Sequence, residues 1–204
     1  SFFSKEAARA QYVIIDSVIF KGNEKTKASI LIRELDLNSG DTVQVADLDA
    51  RLEFNRRKLT NTNLFILVKG DYTQNKPDHV VVTYEFSEQW YLLGYPIFQL
   101  ADRNLNEWWS KGHSFGRTIY GAHLIHNNFM GRNEKLSFKA ETGFSQRVEL
   151  GYSNPYLDRK KTIGLGLALS YSNSTNIIYK TDFDKLKILS GDKILRERWA
   201  SALS

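Results

Sequence analysis

From residue 134 onward the chain alternates apolar and polar side chains with a period of two. Over 134–142, Leu136, Phe138, Ala140 and Thr142 fall on one side, with Lys135, Ser137, Lys139 and Glu141 on the other. Over 146–153, Val148, Leu150 and Tyr152 oppose Arg147, Glu149, Gly151 and Ser153. Over 162–171, Ile163, Leu165, Leu167, Leu169 and Tyr171 oppose Gly164, Gly166, Ala168 and Ser170. Segments 90–101 and 114–126 are less regular but strand-like. Three strands running thus share one apolar face, while the other carries charge or glycine.

The first part of the chain has a different rhythm. Residues 12–20 are β-branched and aromatic, ending at the turn signal Gly22-Asn23. Thr26 is the expected N-cap of a short helix with Ile30, Leu31 and Leu35 at helical spacing. Gly40-Asp41 marks a further turn. Val45, Leu48, Leu52 and Leu59 then recur as one face of a second helix, with Arg51, Arg56, Arg57 and Lys58 on its other sides. Strands follow at 64–71 and 79–87, joined by a polar turn over 72–78. The order β-α-α-β-β lets two helices cover one face of a three-stranded sheet, an α+β unit over 12–88. Residues 89–204 form the antiparallel all-β part.

Composition narrows the chemistry. The 204 residues contain no cysteine, which removes disulfides, thiolate metal sites and cysteine nucleophiles. The surplus of +5 is scattered rather than gathered in a stripe, so no nucleic-acid partner is expected. Mean hydropathy is −0.40, with no apolar run long enough for a transmembrane helix. A transmembrane barrel stays open, because its strands alternate and look soluble on average. On alternation alone a soluble sandwich is favoured, its apolar sides facing one another. Against it stand segments of about 9–11 residues, enough to cross a bilayer at a tilt. Aromatics also stand at segment ends, namely Tyr152, Tyr156, Tyr171 and Trp108-Trp109.

Ile15-x-x-Val18-x-Phe20-x-Gly22-Asn23-x-x-Thr26, Arg33-Glu34-Leu35-x-Leu37-x-x-Gly40-Asp41 and Leu64-Phe65 together resemble a POTRA domain. That is the periplasmic module preceding the barrel in the BamA/TamA-like outer-membrane assembly superfamily, the bacterial surface antigen family. Asn127-Asn128-Phe129-Met130-Gly131-Arg132-Asn133, and then Asn154-Pro155-Tyr156 after a further strand, resemble the opening of that family's barrel. The resemblance implies that 127–133 and 154–161 are periplasmic turns and 173–176 an external loop. Gly22, Asn23, Gly40, Asp41, Gly131, Asn154, Pro155 and Tyr156 would be structural turn residues. It also implies a barrel of about sixteen strands, whereas five or six are legible, so the barrel is expected to be incomplete and the chain a segment. Ala8-Arg9-Ala10 within 1–11 has the form of an export-site remnant or lead-in.

The implied function is outer-membrane protein assembly, with no enzymatic reaction and no cofactor. Unfolded outer-membrane polypeptides would add as strands to Leu64, Phe65, Ile66, Leu67, Val68, Lys69, Gly70 and Asp71. The barrel seam would lie at Trp90, Leu92, Gly94, Pro96 and Phe98, where proline suits an edge. Outer-membrane lipid and periplasmic or lipoprotein accessory subunits are the further expected partners, at the outer membrane with the POTRA-like unit in the periplasm. Two alternatives stand: a related barrel that secretes a dedicated partner or anchors a fused domain, and a soluble α+β binding protein. Gly112-His113-Ser114-Phe115-Gly116 matches a hydrolase nucleophile motif, but a strand rather than a helix follows it. His123 and His126, three apart on a strand, point to opposite faces, which argues against a shared metal.

Overall fold

The computed structural model describes residues 12–76, 78–102, 105–110, 112, 115–158, 160–182, 185–191 and 193–204. They form two compact units. One comprises the described residues up to Trp90 together with Met130–Asn133, and the other Tyr91–Phe129 with Glu134–Ser204.

The first unit runs β1 (Tyr12–Lys21), α1 (Ala28–Glu34), β2 (Thr42–Gln44), α2 (Val45–Asn61), β3 (Phe65–Lys76) and β4 (His79–Glu88). The sheet order is β2-β1-β4-β3; β1 and β4 run parallel and the other pairs antiparallel. Alternate residues of β4, Val80, Val82, Tyr84 and Phe86, are buried, as a central strand covered on one face requires. Leu48, Leu52 and Leu59 of α2 and Ile30 and Leu31 of α1 complete the core. Each fully buried side chain of this size contributes about 1.5–3 kcal/mol. Asn55 is the polar exception, fully buried in α2. Its Oδ1 accepts the Asp36 amide at 3.0 Å and its Nδ2 donates to the Arg51 carbonyl at 3.0 Å, joining α2 to the segment after α1.

Three local expectations are corrected here. The helix after Thr26 begins at Ala28, with Lys27 at the cap position and no side-chain cap bond. The Lys25 and Thr26 amides instead donate to the Glu88 carboxylate, at 3.0 and 2.7 Å, from the far end of β4. A fourth strand, β2, joins the sheet. The polar stretch placed in a turn over 72–78 is largely strand: Tyr72, Thr73 and Gln74 pair with Val82, Val81 and Val80. Two-sided exposure lets polar residues continue a ladder whose partner β4 already holds its apolar side inward.

The second unit contains β5 (Leu92–Leu100), α3 (Leu105–Ser110), β6 (Thr118–Phe129), β7 (Glu134–Gly143), β8 (Gln146–Asn154), β9 (Leu165–Ser174), a ribbon of β10 (Asn176–Asp182) and β11 (Lys185–Ser190), and β12 (Arg196–Leu203). The main sheet has six strands in the order β12-β9-β8-β7-β6-β5, each pair antiparallel. β5 begins at Leu92 rather than residue 90, and Trp90 lies outside it. β6 runs through the stretch expected to turn at Asn127: a bulge at Asn128 (φ 123°) absorbs one residue, and the reversal falls at Met130–Asn133. The stretch read as an external loop over 173–176 carries the end of β9 and the start of β10.

Candidate functional site

Registers carry one face continuously across all six strands of the second unit. Phe98 faces Tyr120, Leu124 faces Phe138, Phe138 faces Leu150, Leu150 faces Leu169, and Tyr171 faces Trp199. A one-residue slip in any pair would break this face, so the pattern itself fixes the register. No described element covers it. Phe98 is 60% exposed and Trp199 73%, with Leu124, Phe138, Leu150 and Leu167 close to half exposed. A sandwich core would bury these side chains; here they form a band open to the surroundings. Ten residues at about 3.3 Å each, tilted as barrel strands are, span about 25 Å, the height of an outer-membrane apolar band. The Tyr171 and Trp199 rings pack at 4.4 Å near one end of it.

The opposite face is polar and small. Lys139 Nζ bonds Glu141 Oε1 at 2.7 Å, and Gly151, Ala168 and Ser170 share this face on the neighbouring strands. This matches a barrel interior.

Two margins are candidate pairing edges. β5 has β6 on one side and no described strand on the other. The Asn127 amide bonds the Tyr91 carbonyl and the Ala101 amide the Arg117 carbonyl, so odd-numbered residues of β5 bond to β6. Leu92, Gly94, Pro96 and Phe98 therefore direct their backbone groups to the open side, and Pro96 leaves a gap in that row of donors. β3 is the margin of the first sheet and is longer than its sequence pattern indicated. Of the residues singled out there, Leu64 lies just before the strand and is buried, as are Phe65 and Val68, whereas Ile66 is 74% exposed. Gly70 faces Tyr84 across the ladder; a Cβ at Gly70 would come within 2.9 Å of the Tyr84 ring, which fills the space. Burial, then the charge of Asp36, pushes the Tyr84 hydroxyl above its ordinary range.

The turn residues lie where backbone demands them. Gly22 has φ 83°, and a Cβ there would meet the Phe86 carbonyl oxygen at 2.2 Å; Gly40 has φ 91° in open space. Asn23 Nδ2 donates to the Thr26 carbonyl at 3.0 Å, and Asp41 Oδ2 accepts the Asn38 amide at 2.7 Å. Gly131 has φ 72°. After β8, Asn154 Oδ1 accepts the Tyr156 amide at 3.1 Å across Pro155. Asp158 then receives the Thr162 hydroxyl and the Thr162 and Ile163 amides at 2.7–2.9 Å, holding its carboxyl below the usual range.

Of the motifs weighed for other chemistry, Phe115 and Gly116 stand in a single 3-10 turn, Phe115–Arg117, while His113 and Ser114 lie outside the described residues, as do 1–11. His123 approaches the Tyr95 ring at 6.3 Å, and His126 meets Phe129 edge-on at 5.9 Å. Their registers, Tyr95 for His123 and Leu92 for His126, put the two imidazoles on opposite faces. Arg56 and Arg57 of α2 share Glu53, at 2.6 and 2.9 Å. Sequence reasoning missed a paired Asp16 and His79, 2.5 Å apart where β1 bulges; the His79 hydrogen bond holds the Asp16 carboxyl below its ordinary value. No local pattern announces a pair 63 residues apart.

A helix-on-sheet module followed by an antiparallel sheet with an outward apolar band defines a barrel protein with a folded module before its first strand. Residues 13–89 match the family model POTRA, described as a surface antigen variable number repeat. This segment is a POTRA domain by that match, and the chain has the fold of such a domain followed by a six-stranded antiparallel sheet resembling part of a BamA barrel. BamA from Haemophilus ducreyi lacking POTRA domains 1–3 is similar at 20% identity and a TM-score of 0.60, covering 79% of this chain and 28% of that one. CdiB from Acinetobacter baumannii matches at 13% identity and a TM-score of 0.47, over 83% of this chain and 30% of that one. CdiB from Escherichia coli matches at 12% and 0.37, over 95% and 41%. The chain spans less than half the length of each. No curated protein sequence matches it.

Proposed function

We propose that the protein assembles β-barrel proteins at the bacterial outer membrane, with the POTRA unit in the periplasm and the apolar band in hydrocarbon. The observation that carries the reading is the conjunction of an uncovered apolar face over six strands with an open strand edge in a POTRA module. Unfolded outer-membrane polypeptides would add to β3 through main-chain bonds, which tolerate many sequences. The β5 edge would offer a template within the bilayer, with outer-membrane lipid and accessory subunits as further partners. The work is strand exchange, and no covalent reaction is proposed.

Depletion of the full-length protein tests this. Several unrelated outer-membrane barrels should fall together, and a photo-crosslinker at Ile66 should capture them in their unfolded form. Loss of one secreted protein with other barrels at normal levels would overturn the reading in favour of a dedicated transporter.

A further inference from the structure

The polar face of the second sheet carries a second surface that the strand-exchange reading does not use. Where β8, β9 and β12 meet the ribbon, a cleft of about 410 Å³ is lined by Arg147, Arg196 and Arg198 around Ser172, Asn173 and Ser174. Register explains the convergence. Arg147 and Arg198 both stand opposite Ser172 from its two sides, and Arg196 stands opposite Ser174 two residues along the same face. On this face the central strand contributes only the short side chains of Ser172 and Ser174, so room is left between the guanidinium groups.

Charge in the cleft is unbalanced. Arg147 Nη1 lies 3.5 Å from Glu149 Oε1. Arg196 and Arg198 have no acceptor among the described residues, and no described carboxylate lines the cleft. Glu197, between them in sequence, is on the other face of the strand, where it accepts the Trp199 indole N–H at 3.3 Å. Three guanidiniums against one carboxylate leave a surplus of two positive charges. Like charges gathered on neighbouring strands repel one another unless an anion sits among them. The planar fork of arginine suits the oxygens of phosphate, and the Ser172 hydroxyl between Arg147 and Arg198 adds a neutral donor.

We infer that this cleft is an anion site for a phosphate group carrying two negative charges, supplied by free phosphate or by a phosphorylated lipid headgroup. The site lies wholly within the second unit and does not depend on the assembly function.

The full-length protein, folded in detergent, should bind inorganic phosphate at constant ionic strength, with line broadening in phosphorus NMR as the readout. Arg198→Gln should weaken binding about tenfold, and Arg198→Lys, which keeps the charge but loses the fork, by less. Lys160→Gln, in the turn beyond β8, should bind as the unaltered protein does. Heat-modifiable electrophoretic mobility checks that each variant is folded, and Arg198→Lys carries the test should the glutamine variant not fold. Vesicles of phosphatidylcholine with and without phosphatidic acid separate the sources. Competition by the phosphatidic acid vesicles assigns the site to a headgroup, and its absence assigns it to free phosphate. Absent phosphate binding, binding unaffected by both Arg198 variants, or equal displacement by chloride would overturn the inference.

Discussion

At the scale of single residues, two glycines with the same backbone sign make different demands. Gly22 and Gly40 both adopt positive φ, which costs an alanine about 1–2 kcal/mol. Only at Gly22 would a Cβ also strike a backbone oxygen. Gly22→Ala should therefore destabilise the first unit well beyond Gly40→Ala, read as faster amide exchange along β4. Equal effects would mean that the Phe86 carbonyl moves aside freely. Glu53 allows a pH test. The hydrogen bond from Arg56, then that from Arg57, lowers its carboxyl from 4.5 to about 2. A depressed folded value adds stability that is whole above the unfolded value and is lost as pH falls through the folded one. Unfolding monitored from pH 5 to pH 2 should show this decline, and Glu53→Gln should remove it. The decline will be small, since the pair is at the surface and water screens it. The turn glycines were legible from sequence because backbone sign is local. Glu88 capping the Lys25–Thr26 turn was not, since its carboxylate arrives from 62 residues away.

At the scale of elements, strand length followed the partner more than the strand's own composition. β3 continues through Tyr72-Thr73-Gln74 because Val80, Val81 and Val82 of β4 require a ladder partner there, a constraint absent from the polar stretch itself. β2 escaped notice because three residues with one buried valine, Val43, show no periodicity. The β7–β9 strands were legible because larger apolar side chains alternate with polar or small ones over their central residues, whereas β6, with Ile119 and Ile125 on the face of His123, was less regular. For β5, the register gives Pro96 a definite meaning: its absent donor falls on the open side. Pro96→Val would supply one more ladder bond to any strand pairing there, worth about 1 kcal/mol. The expected result is tighter seam closure and slower client insertion, measured with reconstituted vesicles; an unchanged insertion rate would remove Pro96 from the seam.

At the scale of the whole molecule, the two faces of the second sheet predict opposite tolerances at adjacent positions. Leu169 lies on the apolar band and Ser170 on the polar face. Leu169→Arg should cost about 2–4 kcal/mol of insertion near the middle of a bilayer, while Ser170→Arg should fold into vesicles almost normally. Heat-modifiable mobility after refolding reads both. If the two variants behaved alike, the band would not face lipid. The sequence pattern made this face visible but left open what it met, because alternation records only that two sides differ. The arginine cleft was less visible still: Arg147, Arg196 and Arg198 belong to strands whose neighbourhood is set by register.

Between β5 and β6 the chain leaves the sheet and returns at one point. Arg117 grips Asp102 with both arms of its guanidinium, the Asp102 side chain is completely shielded, and the Ala101 amide bonds the Arg117 carbonyl. A stem closed in this way insulates the strands from whatever it carries, since the entropy of lengthening an already closed loop grows only slowly. The stretch around α3 is thus a natural cassette, where a foreign epitope could be grafted and displayed without disturbing the ladder beneath.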